Sequence, residues 1–475
     1  MAWLALWWKL SGFTPAVTRT AMLLVAAVGL TAVFRIARQA MNTRVALAAT
    51  VCTALYPVWF TQSSMAHLDM AAAAFALWGL AFFLEDRRAL CLAAFSLAVL
   101  AKETAVIVPL ALASWELLWW LLAPATRAHR FSRETRNEKP ETSIAPALQP
   151  LGGILSLLLV PAAVLTAWFG YHYHRTGYVF GNPEFFRYNV TQAAHPLRIL
   201  LACLRRLWQV TGYMDLFVLT LAGALALRLP PLPEIAADPP APRPRIEPRT
   251  QAVMLIVVLA HVVFLSFVGG AVLARYMLMA VPLVIILCVS TLRRRVRGWP
   301  LVIATVCAAF LFALFVNPPH RFAMEDNLAY RDYVLLHRSA ADVLSAHYSA
   351  SRVLTAWPAS DELAKPYLGY VKTSLPVLPL ENFSAPQVLA AARDTSTFDV
   401  AYVFSTKYEP TAQGALLRGW ERLQEPIFDY HRDLPPEVIA RAFGGRIVWM
   451  QERKGQWAAL IVIERAENAK LMDTH

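Results

Sequence analysis

Charge is scarce in this chain. Only 16% of its 475 residues are Asp, Glu, Lys or Arg, against 57% hydrophobic residues, and the mean hydropathy is +0.45. No soluble protein of this length needs so much apolar sequence, and the apolar segments reach the ~17–25 residues of a membrane-spanning helix. Cysteine is scarce as well. Cys52, Cys91, Cys203, Cys288 and Cys307 lie in or beside apolar runs with no CxxC spacing, which excludes a disulfide frame and a cysteine zinc site. There is no GxSxG, no HExxH, no glycine-rich phosphate loop, no heptad array and no internal repeat. The chemistries those motifs carry in soluble enzymes are therefore not indicated. The N-terminus has no basic region ahead of its apolar stretch and no small-residue cleavage site, so it is not read as a signal peptide. Its Trp3, Trp7, Trp8 and Lys9 read instead as an interfacial helix at headgroup level.

What is present is a series of about ten spans of roughly membrane-crossing length: Pro15–Ile36, Val45–Phe60, Met70–Leu84, Leu90–Leu100, Ala105–Leu122, Gly152–Gly170, Gly212–Leu229, Ala252–Val268, Met277–Leu292 and Leu301–Val316. Leu90–Leu100 is short, and Ala193–Val210 is a weaker helix expected to lie flat. The formal net charge of +12 suggests nucleic acid until its placement is considered. Much of it sits in alternate short loops: Arg35–Arg44, Arg87-Arg88, Arg127–Lys139, Arg228–Arg249 and Arg293–Arg297. By the positive-inside rule these are cytoplasmic. The outer set is then Thr61–Asp69, Lys102-Glu103, Tyr171–Arg198, Gly269–Arg275 and everything after Asn317. The expected protein is multi-pass, in the inner or plasma membrane.

The expected organisation is a transmembrane domain over 1–320, a polar cytoplasmic loop over 123–150 and a proline-rich cytoplasmic linker over 229–250. From about Tyr330 apolar runs shorten and charge spreads evenly. Tyr330–His347 and Ala385–Arg393 read as helices, Arg352–Trp357 and Asp399–Ser405 as strands. Arg446–Glu452 and Gln456–Glu464 flank Arg453-Lys454-Gly455, a hairpin turn. Residues 330–475 thus read as a small extracytoplasmic α/β domain.

Four outward polar clusters could carry chemistry. His67 and Asp69 lie at the lip of a span, where an acid is costly unless paired, solvated or used; Asp is also a preferred helix N-cap, and both roles fit. Lys102-Glu103 are adjacent opposite charges between two apolar runs. A lysine there suits a lipid phosphate as a point charge, or it snorkels beside a helix-starting Glu. Tyr171-His172-Tyr173-His174-Arg175 precedes Tyr178, Asn182, Glu184 and Arg187. His172 and His174 could ligate a divalent metal from an extended segment, but an isolated pair is a weak signal. An interfacial aromatic belt is the commoner origin of such a stretch, and it could still line a carbohydrate site. Arg275-Tyr276 stand just before a span, either as a phosphate partner or as an ordinary anchor pair. No metal site or cofactor is assigned.

Trp7-Trp8-Lys9-Leu10-Ser11-Gly12-Phe13 with Thr18-Arg19 resembles a stretch found early in membrane glycosyltransferases of the GT-C fold. The match is to the family 39-like group of protein O-mannosyltransferases and aminoarabinose transferases. His67-Leu68-Asp69-Met70, Leu100-Ala101-Lys102-Glu103 and Ala274-Arg275-Tyr276 with Pro282 resemble further short motifs of that group, in the same order and sidedness, over roughly residues 1–320. The resemblance implies inverting transfer of a sugar from a polyprenyl-phosphate donor to a lipid, glycan or protein acceptor on the outer side. It makes Lys102 and Arg275 phosphate partners and Asp69 an active-site acid. It also implies an earlier span and an outer loop bearing the main catalytic acid, and the chain is expected to begin after both. Two readings of another class stay open: a transporter or flippase for lipid-linked glycans, and a non-enzymatic scaffold. Against transport, no pair of broken helices occupies matching positions in two halves.

Overall fold

The computed structural model describes residues 2–134, 151–179, 195–234, 241–268, 271–410, 414–428, 430 and 432–464. Its helices in chain order are α1 Ala2–Ser11, α2 Pro15–Ala40, α3 Thr43–Leu55, α4 Pro57–Gln62, α5 Leu68–Leu84, α6 Arg88–Ala101, α7 Ile107–Glu134 and α8 Leu151–Thr176. They continue with α9 Pro196–Thr211, α10 Leu216–Ala226, α11 Pro248–Val268, α12 Val281–Arg295, α13 Trp299–Phe315 and α14 Ala329–His347. The series closes with α15 Ala359–Ala364, α16 Ala385–Ala391, α17 Ala415–Gln424 and α18 Pro436–Phe443. The chain divides into two compact units, one of Met1–Trp3 with Arg19–Leu311, the other of Leu4–Thr18 with Phe312–His475.

The first unit is helical. Among the described residues, Pro15–Ala40, Pro196–Ala226 and Pro248–Val268 are long and apolar enough to cross a membrane, and Thr43–Leu55, Leu68–Leu84, Arg88–Ala101 and Trp299–Phe315 are shorter apolar helices. Helix α5 packs against α6, α6 and α7 against α8, α10 and α3 against α12, and α11 against α7 and α9. The α5–α6 contact is close because residue 79 is glycine: a Cβ there would lie 2.4 Å from the Phe95 ring. Seventeen residues give α5 a length of about 25 Å. Its far end is fixed at Glu85, which takes a bidentate pair from Arg35 at 2.5 and 2.7 Å.

Several expectations change here. Residues 123–134 continue α7 rather than opening a polar loop, because their run of Ala, Thr, Arg and His offers no breaker after Pro124. The rest of that loop lies outside the described residues. Tyr171–Thr176 extend α8 rather than forming an extended segment. Helix α9 does not lie apart on a surface. It packs on α11 and buries Arg198, Leu201, Ala202, Arg206, Gln209 and Val210. Within the proline-rich stretch, Pro233–Glu234 (β1) and Ala241–Pro242 (β2) pair antiparallel, and Leu232 and Arg243 bond to carbonyls of Arg294 and Arg293.

The second unit holds a five-stranded sheet of β3 Val353–Ala356, β4 Val377–Leu380, β5 Val400–Phe404, β6 Gly445–Arg453 and β7 Gln456–Ile463. Its order is β4-β3-β5-β7-β6. The first three are parallel, with Val353 opposite both Val377 and Val400, while β7 runs antiparallel to β5 and β6. Strands β3 and β5 are buried along their whole length, as parallel strands covered on both faces must be. Leu336 and Leu344 of α14, Val388 of α16 and Phe443 of α18 share the core with Phe398, Phe404 and Leu460.

Candidate functional site

The local fold of three separate segments delivers the site. Pro57 lacks an N–H and ends α3 at Tyr56, so the chain restarts as the short α4 and carries Gln62 to the start of the next turn. After the turn, His67 occupies the N-cap position of α5 in extended conformation and Asp69 falls in the first helical turn. An acid there meets the positive end of the helix dipole. At the second segment α6 stops at Lys102, whose extended backbone turns the chain into a 3-10 turn over Glu103–Val106 before α7 begins. The third segment is a 3-10 turn over Ala274–Met277 that precedes α12, and α4 packs against it.

These segments converge on Asp69, which is 7% exposed. Lys102 Nζ donates to Asp69 Oδ1 at 2.5 Å, and Arg275 Nε stands 3.4 Å from Asp69 Oδ2. Lys102 Nζ also lies 3.9 Å from the centre of the Tyr276 ring, a cation–π contact, and the Arg275 guanidinium lies 5.7 Å from the same ring. Two cations against one carboxylate leave a local charge of about +1 in a partly desolvated site, which suits an incoming anion. Asp69, Lys102, Arg275 and Tyr276, 207 positions apart from first to last, thus form one cluster.

His67 borders the cluster. Its Nδ1 and the Gln62 side-chain oxygen are 2.6 Å apart, so Nδ1 carries the hydrogen and Nε2 is the basic nitrogen. Burial pushes the imidazole from its ordinary 6.5 down to about 4; Arg275 and Lys102 act in the same direction and Asp69 opposes them. His67 is therefore neutral near pH 7. A depressed folded-state value means the unfolded chain binds more protons between about pH 6.5 and 4, so this group's stability is present above 6.5 and lost as pH falls through that window. Thermal midpoints of the purified protein are expected to drop across this range, with a shallower drop in His67→Gln. Parallel curves for the two proteins would refute the assignment.

The remaining expected residues do not join. Glu103 is exposed and starts its 3-10 turn. His172 and His174 sit on α8 rather than on an extended segment, and side chains two apart on a helix diverge, so the two do not face one shared ligand. His172 Nδ1 instead lies 2.8 Å from the Tyr178 carbonyl. Among the described residues no hydrogen bond or ion pair links His172, His174 or Arg175 to Asp69, and no group of three His, Cys, Asp or Glu side chains could hold a metal ion. Asn182, Glu184 and Arg187 lie outside the described residues.

The sequence reading missed two residues. One is Gln62, which fixes the His67 ring. The other is Arg206 of α9, fully buried and within electrostatic reach of Tyr276 and His261. Its Nη2 donates to the Ala271 carbonyl at 3.3 Å, while Nε and Nη1 are buried without an acceptor among the described residues. Gln209, one turn on, donates to the Val272 carbonyl at 3.0 Å, so α9 ties down the segment leading to Arg275. The signal was available: Arg198, Arg206 and Gln209 form one polar stripe on a strongly amphipathic helix.

Residues 1–134, which include Asp69 and Lys102, match the family model described as dolichyl-phosphate-mannose-protein mannosyltransferase. Among solved structures, ArnT from Cupriavidus metallidurans in the apo state is similar over 98% of this chain and 86% of that one, with 14% identity and a TM-score of 0.50. ArnT bound to undecaprenyl phosphate aligns over 98% and 87%, with 14% identity and a TM-score of 0.49. The arabinofuranosyltransferase AftD from Mycobacteria aligns over 95% of this chain and 34% of that one, with 13% identity and a TM-score of 0.38. No curated protein sequence matches the chain.

Proposed function

We propose, from the GT-C glycosyltransferase fold that this chain has, that it transfers a sugar from a polyprenyl-phosphate-linked donor to an acceptor hydroxyl. The transfer takes place at the membrane face where Asp69, Lys102 and Arg275 meet. The observation that carries this reading is their convergence: one buried carboxylate gathers two cations from distant segments over the face of Tyr276. The description of the family matched over residues 1–134 names a donor of the same chemical kind.

In this reading the acceptor oxygen attacks the anomeric carbon as the bond to the phosphate oxygen breaks, with inversion. The leaving phosphate already carries charge and needs stabilisation rather than a proton. Lys102 and Arg275 supply it, with Arg206 behind them. Asp69 orients both cations. Once phosphate takes them over, Asp69 and the neutral His67 are the groups able to accept the acceptor's proton. By the distribution of basic loops this face is extracytoplasmic, and residues 330–475 stand on the same side.

The first test is binding. A polyprenyl phosphate is expected to raise the thermal midpoint of the detergent-solubilised protein, and the matching polyprenol without phosphate to leave it unchanged. Equal shifts from both lipids would mean that the site does not read phosphate and would sink the proposal.

A further inference from the structure

Helix α17, Ala415–Gln424, is built inside out relative to an ordinary surface helix. No residue of it is buried. Leu416 is 91% exposed, Leu423 56% and Trp420 46%. At 100° per residue these three side chains form one narrow stripe, while Glu421 and Glu425 fall on the opposite face. That polar face is the one attached to the protein. Arg321 receives Glu421 at 3.2 Å and Glu425 at 2.9 Å, and its backbone N–H donates to Glu421 at 2.9 Å. Arg432 takes Glu425 at 2.7 Å as well. An amphipathic helix held by its polar face presents its apolar face to something else.

Three observations within the same unit identify the occupant as lipid. Arg321 follows the end of α13 by six residues, so the contact that holds α17 lies at most about 20 Å from the point where that apolar helix ends. The end of α13 is itself apolar and open, with Phe312 60%, Phe315 56% and Val316 44% exposed. The acids of α17 are paired with Arg321 and Arg432, whereas Arg418 and Arg422 stay exposed on the side of the helix away from its Leu–Trp stripe. Tryptophan and leucine on one face with arginine on the polar side suit the headgroup–acyl boundary of an anionic membrane.

We propose that α17 is an interfacial anchor whose Leu416–Trp420–Leu423 stripe inserts into the leaflet at the exit of α13 and holds the C-terminal unit against the membrane surface. The proposal is independent of the transferase reading. It is tested on the full-length protein in liposomes of phosphatidylethanolamine and phosphatidylglycerol. The photoreactive residue p-benzoylphenylalanine replaces Leu416, Trp420 or Arg418 in turn, and adducts are read by mass. Leu416 and Trp420 are expected to give phospholipid adducts several-fold more often than Arg418, which faces the other way. Equal lipid labelling at all three positions, adducts mainly to a second copy or to another protein, or no lipid adduct at Leu416 would overturn it. Because all three positions are exposed, monodisperse elution and retention in carbonate-washed membranes suffice to show that each variant is folded.

Discussion

Lys102→Ala is expected to lower sugar transfer by on the order of 10²–10³-fold, the cost of deleting one preorganised group that stabilises developing charge. Among the described residues the side chain meets the Asp69 carboxylate and the Tyr276 face, with His67 within electrostatic reach. Arg275 remains beside Asp69 in its absence, so membrane insertion should be unchanged. The measurement is turnover in proteoliposomes with a polyprenyl-phosphate sugar donor, paired with the thermal shift by polyprenyl phosphate. Lys102→Arg keeps the charge but replaces a point donor by a planar fork, so it should recover affinity more than rate. Wild-type turnover in Lys102→Ala would remove this residue from the site.

Asp69→Asn is the second large effect, and it has two parts. Transfer should fall by on the order of 10²–10⁴-fold, the range for losing a group that moves a proton in the transition state. Stability should fall too, because Lys102 and Arg275 lose the carboxylate that gathers them, and breaking such a pair costs about 3–5 kcal/mol where it is buried. The two parts separate experimentally. If Asp69 only organises the cations, the double variant Asp69→Asn/Lys102→Ala recovers the stability and loses no more activity than Lys102→Ala alone. If Asp69 also takes the proton, the double variant is slower than either single variant. Full activity in Asp69→Asn with normal insertion would refute both roles.

The cluster was only partly legible in the sequence. Asp69, Lys102 and Arg275 each stood out because a charge at the lip of an apolar run is expensive, and that cost is visible in one dimension. Which of the outward charges meet was not visible, because contact between positions 69, 102 and 275 is a property of helix packing. His172, His174 and Arg175 carried the same local signal and remain outside the cluster, since α8 runs on to Thr176 and turns their side chains apart. Arg206 carried a signal that reads two ways: a polar stripe on an amphipathic helix suits headgroups or a neighbouring helix, and only the packing of α9 on α11 and on the Ala274–Met277 turn shows the stripe to be buried.

Hydropathy and local propensity by themselves determined the elements. The scarcity of charge made the apolar runs between Pro15 and Phe315 helical among the described residues, because apolar runs of that length must satisfy their own backbone hydrogen bonds. The alternation and turn chemistry around Arg453-Lys454-Gly455 made the β6–β7 hairpin, whose ladder closes at Arg453 opposite Gln456. Tertiary structure alone decided what those elements present. It placed β5 between β3 and β7, a pairing that spans residues 353 to 462. It brought one carboxylate and two cations together over Tyr276, and it turned the apolar face of α17 outward by fastening its acids to Arg321. The reason is the same in each case. Burial along a segment depends on neighbours in sequence, whereas pairing of charges and strands depends on which distant segments share a face, and no local period encodes that.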